Sequence, residues 1–271
     1  MIFRKRFTLI MPAFAAMLAL GGCEANVEDA RVYLHGLGKK YKSEDLRKLQ
    51  RLNLDFIKPS AGGLEKLKAL PRLDYLNLSG AKINDATLKG VEALSALKNI
   101  DLPNTKISDA GLIFVGKLKQ LEGLRLDGTS VGDDGLIHLV KLERLEALGL
   151  AGTRITDAGL VHLKSLKRLT SLDFSGTAIT DAALARLAEF NIKPHWLILK
   201  DTKVTDDALE RIGKFTGLQG LALDGTKVTD AGLEKLKQLK LLQWLTLART
   251  GVTDEGVKRL KEALPNCKIT R

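Results

Sequence analysis

Residues 145–160 read Leu-Glu-Ala-Leu-Gly-Leu-Ala-Gly-Thr-Arg-Ile-Thr-Asp-Ala-Gly-Leu, and this pattern organises most of the chain. The same frame returns at a step of 24 residues, with one step of 25 residues between Asp181 and Asp206. The aspartate column of the pattern has eight members: Asp85, Asp109, Asp133, Asp157, Asp181, Asp206, Asp230 and Asp254. A fixed period of this length indicates a stack of similar supersecondary units.

Each column of the repeat has a physical role. Leu148 and Leu150 alternate around Gly149, which predicts a short strand with one buried face. Thr156 and its equivalents are good helix N-caps, so Asp157 and its equivalents are interpreted as helix starts. A hydroxyl in the turn after each strand can satisfy a backbone group from the inside. The threonines of that column are Thr105, Thr129, Thr153, Thr177, Thr202, Thr226 and Thr250.

These columns resemble the leucine-rich-repeat family from about residue 46 to the end of the chain. The resemblance implies an α/β solenoid, an arc with parallel strands on its concave face and helices on its convex face. It also implies a protein that works by binding. We therefore expect residues 46–271 to form one leucine-rich-repeat domain that includes a C-terminal cap.

The N-terminal residues have the features of a secretion signal. Residues 4–6 are Arg-Lys-Arg, residues 7–20 carry no charge, and Leu-Gly-Gly then leads into Cys23. An apolar stretch of this length is typical of a signal peptide and too short for a comfortable membrane span. The motif before Cys23 resembles the lipobox of bacterial lipoproteins, in which the cysteine receives a diacylglyceryl group and the signal is cut before it. An ordinary signal peptide cleaved nearby, leaving a free thiol, is the alternative.

The lipobox resemblance implies residues 1–22 as a lipoprotein signal peptide and residues 23–45 as a lipidated tether and N-terminal cap. It also implies an exported protein that is lipid-anchored to a bacterial membrane and faces the periplasm or the cell surface. The second cysteine, Cys267, follows the last repeat and is interpreted as core filling in the C-terminal cap.

Charge and motif content argue against several classes of function. The net charge is +11, but the basic residues recur singly along the repeats without interleaved aromatics, so we expect no nucleic-acid partner. None of the four histidines has carboxylates or cysteines at metal-ligand spacing. Nucleophile elbows, phosphate-binding glycine loops and paired-carboxylate motifs are also missing from the sequence. We expect no metal, no cofactor and no catalysis; an enzyme with an unrecognised site is the alternative.

Strand residues between the leucines point to the concave face, where a partner would bind. Trp196 and Trp244 share one column with Gly220 between them, which predicts a slot floored by glycine with walls about 10 Å apart. The hypothesis is that both tryptophans line a partner-binding patch with Ile198 and Lys200. Two further candidates on the same face are Arg125 and Asp173. The alternative is that Trp196 covers the one-residue insertion near residues 191–194 and that Trp244 shields the C-terminal end.

The convex side shows an apolar run in one helix column, formed by Ile113, Ile137 and Val161, and with Phe114 it is a second candidate surface for a partner. We expect a slight rotation of these helices to bury it. The sequence as a whole predicts a membrane-anchored scaffold that recognises a protein or other macromolecule. A structural cell-envelope protein that contacts peptidoglycan or self-assembles is the alternative.

Overall fold

One parallel sheet of ten short strands runs through the part of the chain that the structure describes, and its strands follow chain order. The computed structural model describes residues 27–60 and 62–271. Equivalent repeat positions pair in register, as Leu148 does with Leu172. The predicted leucine-rich-repeat α/β architecture is confirmed. The strands are β1 Arg51–Asn53, β2 Tyr75–Asn77, β3 Asn99–Asp101, β4 Gly123–Arg125, β5 Ala147–Gly149, β6 Ser171–Asp173, β7 Trp196–Ile198, β8 Gly220–Ala222, β9 Trp244–Thr246 and β10 Lys268–Thr270.

Helices follow the strands from β2 to β9, and each begins at the aspartate column, as predicted. Neighbouring strands lie about 4.8 Å apart whereas packed helices need about 8–10 Å, so the stack curves with its strands inside. Residues 27–36 are helical, and shorter turns precede the first full repeat at Ser43–Leu46 and Leu64–Ala69. The helical segments of the repeats are Asp85–Leu88 with Lys89–Ala93, Asp109–Val115, Asp133–Leu139, Asp157–Leu163, Asp181–Glu189, Asp206–Ile212, Asp230–Leu233 with Glu234–Leu236, and Asp254–Ala263.

The core is one mostly aliphatic cluster that extends from Val27 to Cys267. Its leucines are almost completely buried, and each contributes about 1.5–3 kcal/mol before the cost of ordering the chain. Leu34 from the N-terminal helix and Leu264 beyond the last repeat belong to the same cluster, so both ends of the stack are covered. Cys267 lies in the core as expected, and burial raises its pKa to about 11, which keeps the thiol protonated at neutral pH.

The threonine column satisfies backbone carbonyls inside the turns, as predicted. Thr153 Oγ1 donates to the carbonyl of Leu150 at 2.6 Å, and the other members make the same bond three residues back. These threonines belong to the interior, as Thr153 does with 6% exposure, except for Thr250, which is half-buried. A polar atom is tolerated here because its bond partner belongs to the same turn.

The aspartate column also connects successive repeats, which the sequence did not predict. Asp133 starts its helix, and its carboxylate accepts from the next repeat both the Thr156 amide at 2.8 Å and the Thr156 hydroxyl at 2.6 Å. We call these contacts the aspartate ladder. At Gly132 the backbone amide alone donates, to Asp109 at 2.7 Å. The other pairs with both bonds are Asp85 with Ser108, Asp157 with Thr180, Asp181 with Thr205, Asp206 with Thr229 and Asp230 with Thr253.

One glycine of the repeat lies directly against the ladder. A Cβ on Gly159 would lie 2.3 Å from the Asp133 carboxylate oxygen, closer than side-chain atoms approach one another. The same column holds the buried residues Ala183 and Ala208 in two repeats whose ladder bonds are intact, so the ladder alone does not require glycine there.

The expectation for the convex apolar run is wrong, because Ile113, Ile137 and Val161 are 44%, 51% and 46% exposed. Each of these side chains follows a fully buried leucine, such as Leu136 before Ile137. Successive positions point about 100° apart in an α-helix and about 120° apart in the 3-10 helices Asp133–Leu139 and Asp157–Leu163, so burying the leucine turns the next residue outward. The aspartate ladder fixes where each helix begins and opposes the rotation that would bury the run. We call these three residues the convex strip.

The ladder predicts different effects for two adjacent aspartates in one helix turn. Asp133→Ala leaves the Thr156 amide without its acceptor and should lower the free energy of unfolding by about 2 kcal/mol. Asp134→Ala is the matched control, because Asp134 is exposed and lies in the same first turn; it should change stability by less than about 0.5 kcal/mol. Urea unfolding of the full chain measures both values. Equal losses in the two variants would mean that the helix dipole, not the ladder, explains the aspartate column.

Candidate functional site

The concave face carries two outward columns of side chains. The strand register places Trp196 next to Ser171 on one side and Gly220 on the other. Trp244 follows Gly220 in the same column. The two tryptophans therefore lie two strand spacings apart, as the repeat predicted.

The open slot expected between the tryptophans does not exist. A Cβ added to Gly220 would lie 2.1 Å from Cε3 of Trp196, so the indole ring itself lies over this glycine. Trp196 nevertheless keeps 41% of its surface exposed. Gly220 has no side chain, so one face of the Trp196 ring packs directly on the strand, and the rest of the ring is left to solvent.

Lys200 follows β7, and its side chain reaches the buried carboxylate of Asp224 and the ring of Trp244. Its Nζ is 3.2 Å from Asp224 Oδ2 and 5.9 Å from the centre of the Trp244 ring. That geometry gives the ammonium both an ion pair and a cation–π contact. Trp196, Ile198, Lys200 and Trp244 form what we call the tryptophan patch.

Asp224 organises the patch, although sequence reasoning missed it. The Thr246 hydroxyl donates to Asp224 Oδ2, and the Ala248 amide donates to Oδ1 at 3.0 Å. Burial alone would raise the pKa of Asp224, but these hydrogen bonds and the nearby Lys200 ammonium outweigh burial and hold the pKa below its ordinary value. Lys200 and Asp224 occupy the same repeat column one period apart, so their opposite charges were a signal available in the sequence.

Arg125 and Asp173 lie in a separate depression of about 340 Å³ toward the N-terminal end of the concave face. Small residues form its floor, and Ile198 of the tryptophan patch forms one wall. Arg125 pairs with Asp127 at 2.9 Å but leaves 60% of its side chain exposed. Asp173 accepts the Ser175 amide at 2.9 Å and the Ser175 hydroxyl at 2.6 Å.

The opposite wall of this depression is aromatic and acidic. The Tyr75 hydroxyl donates to Asp101 Oδ2 at 2.5 Å, and the Arg51 guanidinium lies 4.0 Å from the centre of the Tyr75 ring. Burial, followed by the bond to Asp101, raises the pKa of Tyr75, so the phenol stays protonated and remains a donor. This cluster was not among the predicted site residues, although Tyr75 belongs to the column of the two tryptophans.

The six predicted residues therefore form two adjoining groups. Arg125, Asp173 and Ile198 line the depression, while the rest of the tryptophan patch continues onto β7–β9. Ile198 belongs to both groups. The concave face thus presents one continuous strip that changes from polar at β3–β6 to aromatic at β7–β9.

The titratable groups of this face have structural partners. Asp224 forms an ion pair with Lys200, and Arg125 forms one with Asp127. The Tyr75 hydroxyl donates a hydrogen bond to Asp101. Among residues 27–60 and 62–271, no three His, Cys, Asp or Glu side chains come together as a metal site. His138 and His162, which share a helix column, are both half-buried.

A family model described as Leucine Rich repeat matches residues 165–188, one period of the pattern. With the ten-stranded parallel sheet, that match decides the architecture. The chain is a leucine-rich-repeat solenoid. No curated protein matches its sequence.

Solved structures with the same architecture include two internalins from Listeria monocytogenes. The crystal structure of inlF has a TM-score of 0.63 and 21% identity over 83% of this solenoid, which spans 61% of the inlF chain. The crystal structure of internalin C2, inlC2, has a TM-score of 0.54 and 18% identity, with 91% of this chain and 92% of that chain covered. At these identities the similarity concerns the leucine-rich-repeat fold alone.

Acidification tests the role of Asp224. Because its folded pKa is lowered, the carboxylate stabilises the solenoid above its unfolded pKa, and this contribution disappears as pH falls through the folded pKa. Asp224→Asn should cost about 1–2 kcal/mol at pH 7 and less near pH 3. Urea unfolding at both pH values measures the difference, with the exposed Asp207→Asn as the control. A cost for Asp224→Asn that does not shrink with acid would contradict this electrostatic role.

Proposed function

We propose that this chain is an exported, lipid-anchored scaffold that binds another protein through the concave strip. The observation that carries the proposal is the tryptophan patch, where a large, partly exposed indole lies on the sheet near the partly exposed side chain of Lys200. Trp196 contributes little to the core, since its ring lies above Gly220 and outside the aliphatic cluster. Solenoids generally use their extended concave surfaces for binding.

The composition of the strip favours a protein partner. Tryptophan and arginine are the residues that most often dominate the energy of protein interfaces. The strip offers both, with Trp196 on β7 and Arg125 on β4, and small residues between them leave space for side chains of a partner. A surface that is partly aromatic and partly charged fits a folded protein or an extended segment better than it fits a small apolar ligand.

The patch is also ordered before any partner arrives. The Trp196 ring rests on Gly220, and the Asp224 carboxylate holds Lys200 in position. Side chains that are already restricted lose less conformational entropy on binding, which favours affinity. The buried hydrogen bonds of Asp224 therefore support binding without contacting the partner.

Cys23 lies outside the described residues, so the lipid anchor is inferred from the sequence around it. The lipobox-like motif before it supports lipidation, and several acyl chains on one residue give stable attachment. None of the helices within residues 27–60 and 62–271 is long and apolar enough to cross a bilayer. Val27 is already buried in the solenoid, so a lipid on Cys23 would hold the N-terminal end of the stack close to the membrane.

Lipidation is tested by replacing the thiol. Cys23→Ala in the full chain should abolish incorporation of radiolabelled palmitate and move the protein from the membrane fraction to the soluble fraction. Cys267→Ala is the matched control and should keep both the label and the membrane location, because Cys267 is buried in the C-terminal cap. Continued labelling of the Cys23→Ala chain would contradict the proposed anchor.

Binding is tested by crosslinking in the native cell. A photoreactive residue in place of Ile198 in the full chain should capture one defined protein, identified by mass spectrometry. Trp196→Ala with Trp244→Ala should weaken binding of that protein about a hundredfold or more, because both anchors are lost. Leu241→Ala removes an exposed apolar side chain outside the concave columns and should leave affinity unchanged. Unchanged affinity in the double tryptophan variant would exclude the tryptophan patch as the binding site.

A further inference from the structure

A depression on the edge of the first repeats is lined by lysines and lies outside the concave site. Its volume is about 620 Å³, and its charged lining residues are Lys58, Lys82 and Lys106. The remaining lining residues are uncharged. All three lysines are exposed, and none forms an ion pair within the part of the chain that the structure describes. A depression of this composition favours an anionic ligand.

The three lysines belong to one repeat column that the backbone holds at a fixed spacing, and we call them the lysine edge. The Lys82 amide donates to the Ile57 carbonyl at 2.8 Å, and the Lys106 amide donates to the Ile83 carbonyl at 3.2 Å. Backbones joined in this way lie about 4.8 Å apart, so three ammonium groups project side by side. The stack curves between its convex and concave faces, whereas the edge between those faces can lie against a flat surface.

Phe56 lies beside the lysine edge, and 77% of its surface is exposed. Its φ of 56° is in the left-handed region, which strains the backbone of a bulky residue. The ring lies over Gly80 of the depression, because a Cβ added there would be 2.5 Å from Cε1 of Phe56. A large apolar ring that is exposed at a strained position contributes little to the core, and it indicates a contact surface.

Two carboxylates are close in sequence to the lysine edge, but neither lines the depression. Asp55 belongs to the column of Asp127, which lines the depression on the concave face. Asp85 is engaged by the next repeat, since it accepts the Ser108 amide at 2.9 Å and the Ser108 hydroxyl at 2.6 Å. The positive charge of the lysine edge is therefore not neutralised by a direct partner.

The excess positive charge of the chain is concentrated at the same end of the stack. Residues 27–72 contain 11 Lys and Arg against 6 Asp and Glu, whereas residues 73–271 contain 29 against 25. The N-terminal helix adjoins the lysine edge. A Cβ added to Gly63 would lie 2.2 Å from the Tyr33 ring and 2.7 Å from Ser60 Oγ, and Ser60 lines the depression.

We propose that the lysine edge and Phe56 dock the N-terminal end of the solenoid on an anionic phospholipid bilayer. The lysines bind headgroup phosphates, and the Phe56 ring enters the interface, where apolar side chains are favoured beside basic ones. Docking fixes the direction in which the concave strip faces, whereas the lipid alone only keeps the chain at the membrane.

A bilayer is the occupant because it is flat, anionic and within reach of this end. The inference rests on the proposed lipid anchor: Glu24, Ala25 and Asn26 separate Cys23 from Val27. Four residue steps span at most about 14 Å, so an acylated Cys23 keeps the N-terminal helix within that distance of the headgroups. The lysine edge adjoins that helix and is therefore held beside the bilayer.

The first experiment measures whether the lysine edge approaches the bilayer. The full-length lipidated chain is bound to vesicles that contain a quencher attached to lipid, with a fluorophore on Ser60→Cys. Asn266→Cys in the C-terminal cap is the control, and Cys267 is buried. On phosphatidylcholine vesicles containing phosphatidylglycerol, only the Ser60→Cys label should be strongly quenched. On phosphatidylcholine alone both labels should be weakly quenched. Weak quenching of both labels on the anionic vesicles would overturn the proposal.

The second experiment reverses the charge of the lysine edge. Lys58→Glu with Lys82→Glu and Lys106→Glu should return quenching at Ser60→Cys to its value on neutral vesicles, because three attractions become repulsions. High salt should have the same effect on the unaltered lysine edge. Three exposed lysines on the convex side give a control with the same change in net charge: Lys141→Glu, Lys235→Glu and Lys258→Glu. Equal loss of quenching in both triple variants would mean that net charge, not the lysine edge, attracts the bilayer.

The third experiment separates docking from folding at Phe56. Phe56→Gly should raise the urea midpoint, because glycine adopts the left-handed backbone without strain, and it should lower the quenching at Ser60→Cys. Circular dichroism checks that the variant is folded. A lower midpoint with unchanged quenching would show that Phe56 serves the fold and does not contact the bilayer.

The two kinds of vesicle also separate docking from the lipid anchor. Retention on neutral vesicles reports the anchor, and quenching at Ser60→Cys on anionic vesicles reports docking. A chain that is retained on both but weakly quenched contradicts docking and leaves the anchor intact, which is also the result expected if an acidic protein covers the lysine edge. A chain that leaves neutral vesicles contradicts the anchor, and its binding to anionic vesicles must then depend on the three lysines for docking to stand.

Discussion

No repeat of this chain can bury its own leucines, so each repeat depends on its two neighbours. The three-residue strands gain stability by pairing with equivalent strands, and the inward side chains close into one aliphatic cluster. The aspartate ladder adds polar contacts between repeats. Its carboxylates accept hydrogen bonds from the N-cap residue of the next repeat, as Asp133 does from Thr156. The inward side chains therefore all serve the stability of the stack, and the residue types that differ between repeats lie mainly in the outward columns.

The two faces of the arc use this freedom differently. On the concave face, Gly220 supports the indole of Trp196 and Asp224 fixes Lys200, so packing within the solenoid prepares a surface for a partner. On the convex face, the ladder sets the start of each helix and thereby leaves Ile137 and its neighbours exposed. Both surfaces are consequences of contacts between repeats, although neither surface contributes to the leucine core.

Periodicity made the fold predictable, because leucine, threonine and aspartate columns each require a particular local structure. The ladder was not predictable from one repeat, since the acceptor Asp133 and the donor Thr156 lie 23 residues apart and meet only when repeats stack. The slot at Gly220 was predicted wrongly because a missing side chain suggests space, whereas the neighbouring indole filled it. The Lys200–Asp224 pair could have been found by comparing charges along one column.

Amide hydrogen exchange tests most directly whether neighbouring repeats are joined in this way. The Thr156 and Thr180 amides lie in loops, yet each donates to an aspartate of the preceding repeat. We predict that they exchange as slowly as strand amides such as that of Ala147, which donates to the backbone carbonyl of Glu122. If both loop amides exchange at the rate of exposed loops while the strand amides remain protected, the ladder does not hold the repeats together.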